Sequence, residues 1–90
     1  MRLHFTLRAW AEYLFWQEND REILSRINAL LKDIERAPFS GLGKPEPLRQ
    51  EFAGWWSRRI TREHRLVYRV QGQGPDQRVA ILSCRYHYDR

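Results

Sequence analysis

Glu46 lies between Pro45 and Pro47, and His87 lies between Tyr86 and Tyr88 near the C-terminal end. An arginine-rich stretch, from Trp55 to Val70, separates them. A carboxylate, a histidine and several guanidinium groups make up an acid, base and cation set, which is sufficient to cleave a phosphodiester without a metal. The two prolines restrain the backbone around Glu46, so its carboxylate is presented from a stiff segment. A blander reading is also open: Glu46 as a surface counter-ion to Lys44 or Arg49, and His87 as an ordinary surface histidine. On the residues alone, a nuclease and a nucleic-acid binder have equal support.

Other chemistries find no footing. Cys84 is the single cysteine, so no internal disulfide forms and no cysteine-built metal site exists. Among apolar neighbours on a strand it reads as core. His4 and His64 lack zinc-motif spacing, and no glycine-rich phosphate cradle, GxSxG or carboxylate cluster for two metals occurs. No metal and no cofactor is expected. The net charge of +5 is placed unevenly: residues 1–40 hold six basic and six acidic side chains, residues 41–90 ten and five. Fourteen of the sixteen basic residues are arginine, the side chain that grips phosphate or carboxylate with a planar fork. A basic half interleaved with aromatics points to a polyanionic partner, most often nucleic acid.

The element that must position this set is a β-hairpin with two different faces. Side chains alternate along a strand, so Trp56, Ile60, Leu66, Tyr68 and Val70 share one face, with Arg58 the exception among them. Ser57, Arg59, Thr61, Arg65 and Arg69 share the other. A three-residue turn at Arg62-Glu63-His64 would set Thr61 opposite Arg65 and bring Arg59 and Arg65 side by side. Neighbouring like charges repel, so an anion such as phosphate would make that arrangement favourable.

Around the hairpin, Leu3 to Phe5 fits a first strand and Thr6 a helix cap. Leu7, Trp10, Tyr13, Leu14 and Gln17 form a stripe at helical period, expected to face the core. Asn19 and Glu22 have the form of a capping box between two helices. Ile23, Ile27, Leu30, Leu31 and Ile34 then mark a second amphipathic helix, stopped at Ala37-Pro38. Phe39 to Pro47, with two glycines and two prolines, reads as a restrained loop. A polar turn at Gln71 to Gln77 leads to a last long strand over Arg78 to Tyr88, apolar from Val79 to Leu82 and so covered on both faces there. At 90 residues and 42 % hydrophobic the chain is expected to be one domain, 1–90. With no apolar run of bilayer length and no secretory signal pattern, it is expected in the cytoplasm and off the membrane.

Four segments carry a family resemblance: Gly43-Lys44-Pro45-Glu46-Pro47-Leu48, Gly54-Trp55-Trp56-Ser57-Arg58-Arg59-Ile60-Thr61, Glu63-His64-Arg65-Leu66-Val67-Tyr68 and Cys84-Arg85-Tyr86-His87-Tyr88. Together with Tyr13-Leu14-Phe15-Trp16-Gln17 and Pro38-Phe39, they resemble the signature of the YoeB (Txe) toxins, RelE-like ribosome-dependent ribonucleases of type II toxin-antitoxin systems. The long Gln71 to Gln77 turn and the Asp89-Arg90 extension depart from that pattern. The resemblance implies an α+β fold, two N-terminal helices packed on an antiparallel sheet. It also implies cleavage of messenger RNA in the ribosomal decoding site by metal-independent attack of the 2′-hydroxyl. By motif match Glu46 would be the general base, Arg65 the phosphate stabiliser, His87 the general acid and Tyr88 an orienting residue. Lys44, Arg49, Arg58 and Arg59 would bind substrate. The implied partners are a YefM-like antitoxin, the ribosome with its messenger, promoter DNA bound jointly with the antitoxin, and a second copy of the toxin. The competing expectation is a non-catalytic module of the same fold that uses the basic face only to bind.

Overall fold

The computed structural model describes residues 1–87. Along the chain come β1 (Arg2–Phe5), α1 (Leu7–Asn19), α2 (Arg21–Arg36), β2 (Glu46–Pro47), β3 (Trp56–Arg59), β4 (Arg65–Gln71) and β5 (Arg78–Ser83). The sheet order is β1-β5-β4-β3-β2. Three of the pairings are antiparallel, but β1 runs parallel to β5, with Leu3 opposite Val79 and Phe5 opposite Ile81. The sheet is therefore mixed, not wholly antiparallel. A parallel pair needs a long crossover, which the intervening helices and hairpin supply.

Thr6 caps α1 as expected: its Oγ1 accepts from the Ala9 N–H at 3.0 Å and donates to the Leu82 carbonyl at 3.0 Å. One hydroxyl thus starts the helix and ties it to β5. The junction between the helices is organised one residue later than expected. Asp20, not Asn19, caps α2, its Oδ1 accepting from Glu22 and Ile23 N–H, while Asn19 closes α1 by donating to the Phe15 carbonyl. Aspartate fills the cap equally well and adds a negative charge at the helix N-terminus.

Helix α2 buries Ile27, Leu30, Leu31 and Ile34, the stripe read from its periodicity. These pack on Leu66, Tyr68, Val79, Ile81 and Cys84 from the sheet and the segment after it. Cutting one such leucine to alanine costs about 2–5 kcal/mol. Helix α1 behaves differently. Its buried residues are Ala9 and Trp16, whereas Leu7, Trp10 and Leu14 of the expected stripe are exposed, Leu7 at 90 %. The reason is tertiary. The Trp16 indole donates to the Cys84 carbonyl at 2.9 Å and Glu12 Oε1 accepts from the Cys84 N–H at 2.8 Å, which rotates the Ala9, Glu12 and Trp16 side toward the sheet.

Those two contacts also end β5 at Ser83, short of the expected Tyr88. Along β5, Val79 and Ile81 are buried and Ala80 and Leu82 half-buried. The Gln71 to Gln77 segment is closed by a short 3-10 turn at Gly74–Asp76. No described helix is long and apolar enough to cross a membrane.

Candidate active site

The hairpin of β3 and β4 keeps the expected parity with a longer connection. Arg59 stands directly opposite Arg65, so the loop is the five residues 60–64 and not three. Thr61 explains the extra length. Its Oγ1 accepts from the Glu63 and His64 N–H groups at 3.2 Å each, and the His64 carbonyl accepts from both Ile60 and Thr61 N–H. Lengthening a loop by two residues leaves every side chain on its expected face. Arg59 and Arg65 therefore start from opposed positions on the sheet face away from the helices.

Glu46 joins them on that face. It is paired with Ser57 across β2 and β3, one same-face position along from the Arg59 and Arg65 pair. Two strand spacings and two residues put the Glu46 and Arg65 backbones about 12 Å apart. The segment expected to be only a loop thus contributes a two-residue edge strand that carries the carboxylate. Its approach is held by Gly43, whose carbonyl accepts from the Arg59 N–H at 2.7 Å. At Gly43 φ is +79°, and a Cβ would lie 3.0 Å from the Arg59 carbonyl oxygen and 2.9 Å from Leu30 Cδ2, so only glycine fits. Lys44 continues in the left-handed region at φ 52° and is exposed. Glu46 and Arg49 are exposed as well and line a shallow cleft of about 450 Å³ with Pro47, Leu48 and Gln50.

Between Glu46 and the C-terminal segment runs a row of small side chains, Ser57, Val67 and Ser83, paired in register and all buried. Beyond it the Arg65 N–H donates to the Tyr86 carbonyl at 3.1 Å, which ties the main chain just before His87 to β4. His87 lines a second cleft, of about 420 Å³, with Arg62, Glu63, His64 and Tyr86. The Arg65 guanidinium is folded over the loop: Nη1 donates to the carbonyls of Thr61 at 2.8 Å and of Arg62 and His64 at 3.1 Å each. Among the described residues its Nε and Nη2 make no hydrogen bond, so they are available to an anion. Tyr88 lies outside the described residues.

One expected substrate contact is overturned. Arg58 is 0 % exposed and faces the helices. Its Nη1 donates to Asp33 Oδ2 at 2.6 Å and to the Leu42 carbonyl at 3.1 Å, its Nη2 to the carbonyls of Ala37 at 2.6 Å and Ser40 at 2.9 Å, and its Nε to the Tyr68 hydroxyl at 3.1 Å. All its hydrogen-bonding capacity is spent on protein, so it cannot reach a substrate. It binds the loop leading to Glu46 instead. Asp33 is its counter-charge, and hydrogen bonds from the Leu42 N–H and from Arg58 pull the Asp33 carboxyl down to about 2. Burial pushes the Cys84 thiol up to about 12, as suits a core residue and not a nucleophile. No group of three or more His, Cys, Asp or Glu side chains that could hold a metal ion stands together among the described residues.

Residues 5–88 match the family model described as the YoeB-like toxin of bacterial type II toxin-antitoxin systems. The chain belongs to that family. It is 52 % identical to Toxin YoeB of Escherichia coli (strain K12), over 98 % of this chain and all of the relative. In three dimensions it superposes on the YoeB/ParE toxin from Agrobacterium tumefaciens with a TM-score of 0.93 at 53 % identity, covering 98 % of this chain and 100 % of that one. The YoeB dimer and the YoeB-YefM complex from Staphylococcus aureus follow with TM-scores of 0.87 at 43 % and 42 % identity, each covering 98 % of both chains. The RelBE2 toxin-antitoxin complex of Mycobacterium tuberculosis superposes more loosely, with a TM-score of 0.67 at 28 % identity over 96 % of both chains. These neighbours bear out the expected RelE-like α+β fold.

His64 is a residue of the His87 cleft that sequence spacing passed over. In the sequence it lacks any histidine or carboxylate partner at motif spacing. In the fold its Nδ1 accepts from the Tyr86 N–H at 2.8 Å, a contact spanning 22 residues that no local pattern signals.

Proposed function

We propose that this toxin cuts messenger RNA held in the ribosomal decoding site, by attack of the RNA's own 2′-hydroxyl on the adjacent phosphorus. Glu46 takes the 2′-hydroxyl proton. Arg65, joined by Arg59, stabilises the negative charge that builds on the phosphoryl oxygens. His87 gives its proton to the 5′-oxygen as the P–O5′ bond breaks, and Tyr88 orients the reacting group. The products are a 2′,3′-cyclic phosphate and a 5′-hydroxyl. Lys44 and Arg49 hold the flanking backbone.

The observation that carries this reading is the directly opposed Arg59 and Arg65 pair, with a carboxylate on the same face and the main chain just before His87 hydrogen-bonded to Arg65. Like charges placed opposite one another are unfavourable without an anion. The reading also gives the chain a YefM-like antitoxin and a dimeric state, by analogy with the S. aureus proteins, and joint binding of promoter DNA.

A programmed ribosome carrying a messenger with a single 2′-deoxy substitution at the cut position tests the chemistry. Cleavage should vanish at that position, and the unsubstituted message should yield the two stated ends. Cleavage that persisted on the deoxy message would exclude this mechanism. A purely binding module would tolerate or gain from Glu46→Gln, because losing a negative charge favours a polyanion, whereas a general base would not.

A further inference from the structure

We propose that His64 is a positioning residue that couples Arg65 to His87, its ring holding the Tyr86 main chain while its carbonyl anchors the Arg65 guanidinium. This rests on the reading that Arg65 and His87 act on the phosphate.

Every link but the last, the peptide bond from Tyr86 to His87, is a hydrogen bond between named atoms. The His64 carbonyl accepts from Arg65 Nη1 at 3.1 Å and from the Ile60 and Thr61 N–H groups at 3.0 and 3.3 Å. Its Nδ1 accepts from the Tyr86 N–H at 2.8 Å, while the Tyr86 carbonyl accepts from the Arg65 N–H at 3.1 Å. Tyr86 is thereby gripped at both of its main-chain polar atoms, and His87 follows it directly. The grip has something to hold. Tyr86 has φ 66°, a left-handed conformation unfavourable for a residue with a Cβ, which persists only where the surroundings enforce it.

The bond also dictates the state of the ring. Nδ1 can accept only when it carries no proton, so His64 must be the neutral tautomer with hydrogen on Nε2. Its surroundings favour that form. The ring packs edge-on to Trp16 of α1 at 4.9 Å and lies 5.8 Å from Tyr86. Burial lowers its pKa below the ordinary histidine value; Glu63 in the loop opposes this, while Arg85 and His87 in the C-terminal segment and Arg65 on β4 add to it. Neutral His64 therefore keeps its acceptor at neutral pH, and protonation on acidification would break the hold on Tyr86.

Two substitutions separate the acceptor from the ring. His64→Asn keeps an acceptor at the Nδ1 position and loses the ring; His64→Phe keeps a ring and loses the acceptor. Single-turnover cleavage on programmed ribosomes should fall roughly tenfold to a hundredfold for His64→Phe, in the rate constant and not in KM, the scale of a reacting group displaced by an ångström. His64→Asn should recover most of it. Amide hydrogen exchange on the free protein should show Tyr86 protected in wild type and His64→Asn but not in His64→Phe, with wild-type protection lost in acid and that of His64→Asn retained. A His64→Phe variant that cleaves at the wild-type rate with an unprotected Tyr86 amide would overturn the proposal, and so would a wild-type ¹⁵N spectrum showing hydrogen on Nδ1. If instead Arg65→Ala and His87→Gln cleave normally, the catalytic reading itself falls, whatever His64 does.

Discussion

Arg58 and Arg59 are consecutive in the chain and chemically identical, yet the fold uses them in opposite ways. Arg58 turns toward the helices, is fully buried and donates five hydrogen bonds. Arg59 turns to the open face, is exposed, and among the described residues its side chain has no hydrogen-bond or ion-pair partner. The comparison teaches that a guanidinium on this hairpin is defined by strand parity and not by type. On one face its donors are consumed in holding loop 37–42, on the other they stay available to an anion.

The largest effect expected from disturbing this contrast is at Arg58. Arg58→Ala leaves the Asp33 carboxylate with Arg36 and the Leu42 N–H but strips the carbonyls of Ala37, Ser40 and Leu42 of the Arg58 donor. It should cost about 3 kcal/mol or more, since each buried acceptor left without a donor costs about 1–3 kcal/mol. Urea unfolding would read it as a lowered midpoint. Arg58→Lys should recover little, because an ammonium cannot replace a five-donor fork.

Arg65 sits on the opposite face and should show the reverse pattern. Arg65→Ala should slow the chemical step by about a hundredfold or more, as for one lost electrostatic stabiliser, while unfolding changes far less than for Arg58→Ala. Lysine should rescue it partly. Single-turnover cleavage that matched wild type with only binding weakened would remove Arg65 from the chemistry.

A smaller effect follows from acid. The folded Asp33 carboxyl lies near 2 against a reference value of 3.8, so its contribution to stability is complete above about pH 4 and is lost as pH falls through about 2. Stability measured between pH 5 and pH 2 should fall less steeply for Asp33→Asn than for wild type. Equal slopes would mean that the Leu42 and Arg58 hydrogen bonds to Asp33 do not hold its carboxylate in solution.

The smallest change in stability is expected at Arg59. Arg59→Ala relieves the repulsion with Arg65 and should leave stability within about 0.5 kcal/mol of wild type, as for exposed sites generally. Polyanion binding should nonetheless weaken, with a shallower dependence on salt. A destabilisation as large as that of Arg58→Ala would erase the contrast between the two faces.

How much of this was legible beforehand depends on how local the cause is. Helix α2 could be read from its own period, because one apolar stripe on a helix has one place to go. The hairpin's faces could be read from alternation, and parity survived even though the loop proved two residues longer. The segments around Glu46, Arg59, Arg65 and His87 carried the family resemblance. What the tertiary structure alone decided lies wherever a distant partner chooses among local options. Helix α1 presents Ala9 and Trp16 inward because Cys84 meets Glu12 and Trp16, residues 72 and 68 positions away. Arg58 lies on a core face that alternation assigned it, but its burial is possible only because Asp33 and the carbonyls of loop 37–42 converge on it. His64 acquires its contact with Tyr86 in the same way. Periodicity describes a segment relative to its own axis; it cannot say which donors and acceptors from elsewhere will arrive to satisfy a buried polar group, and that arrival decides whether an arginine is structure or site.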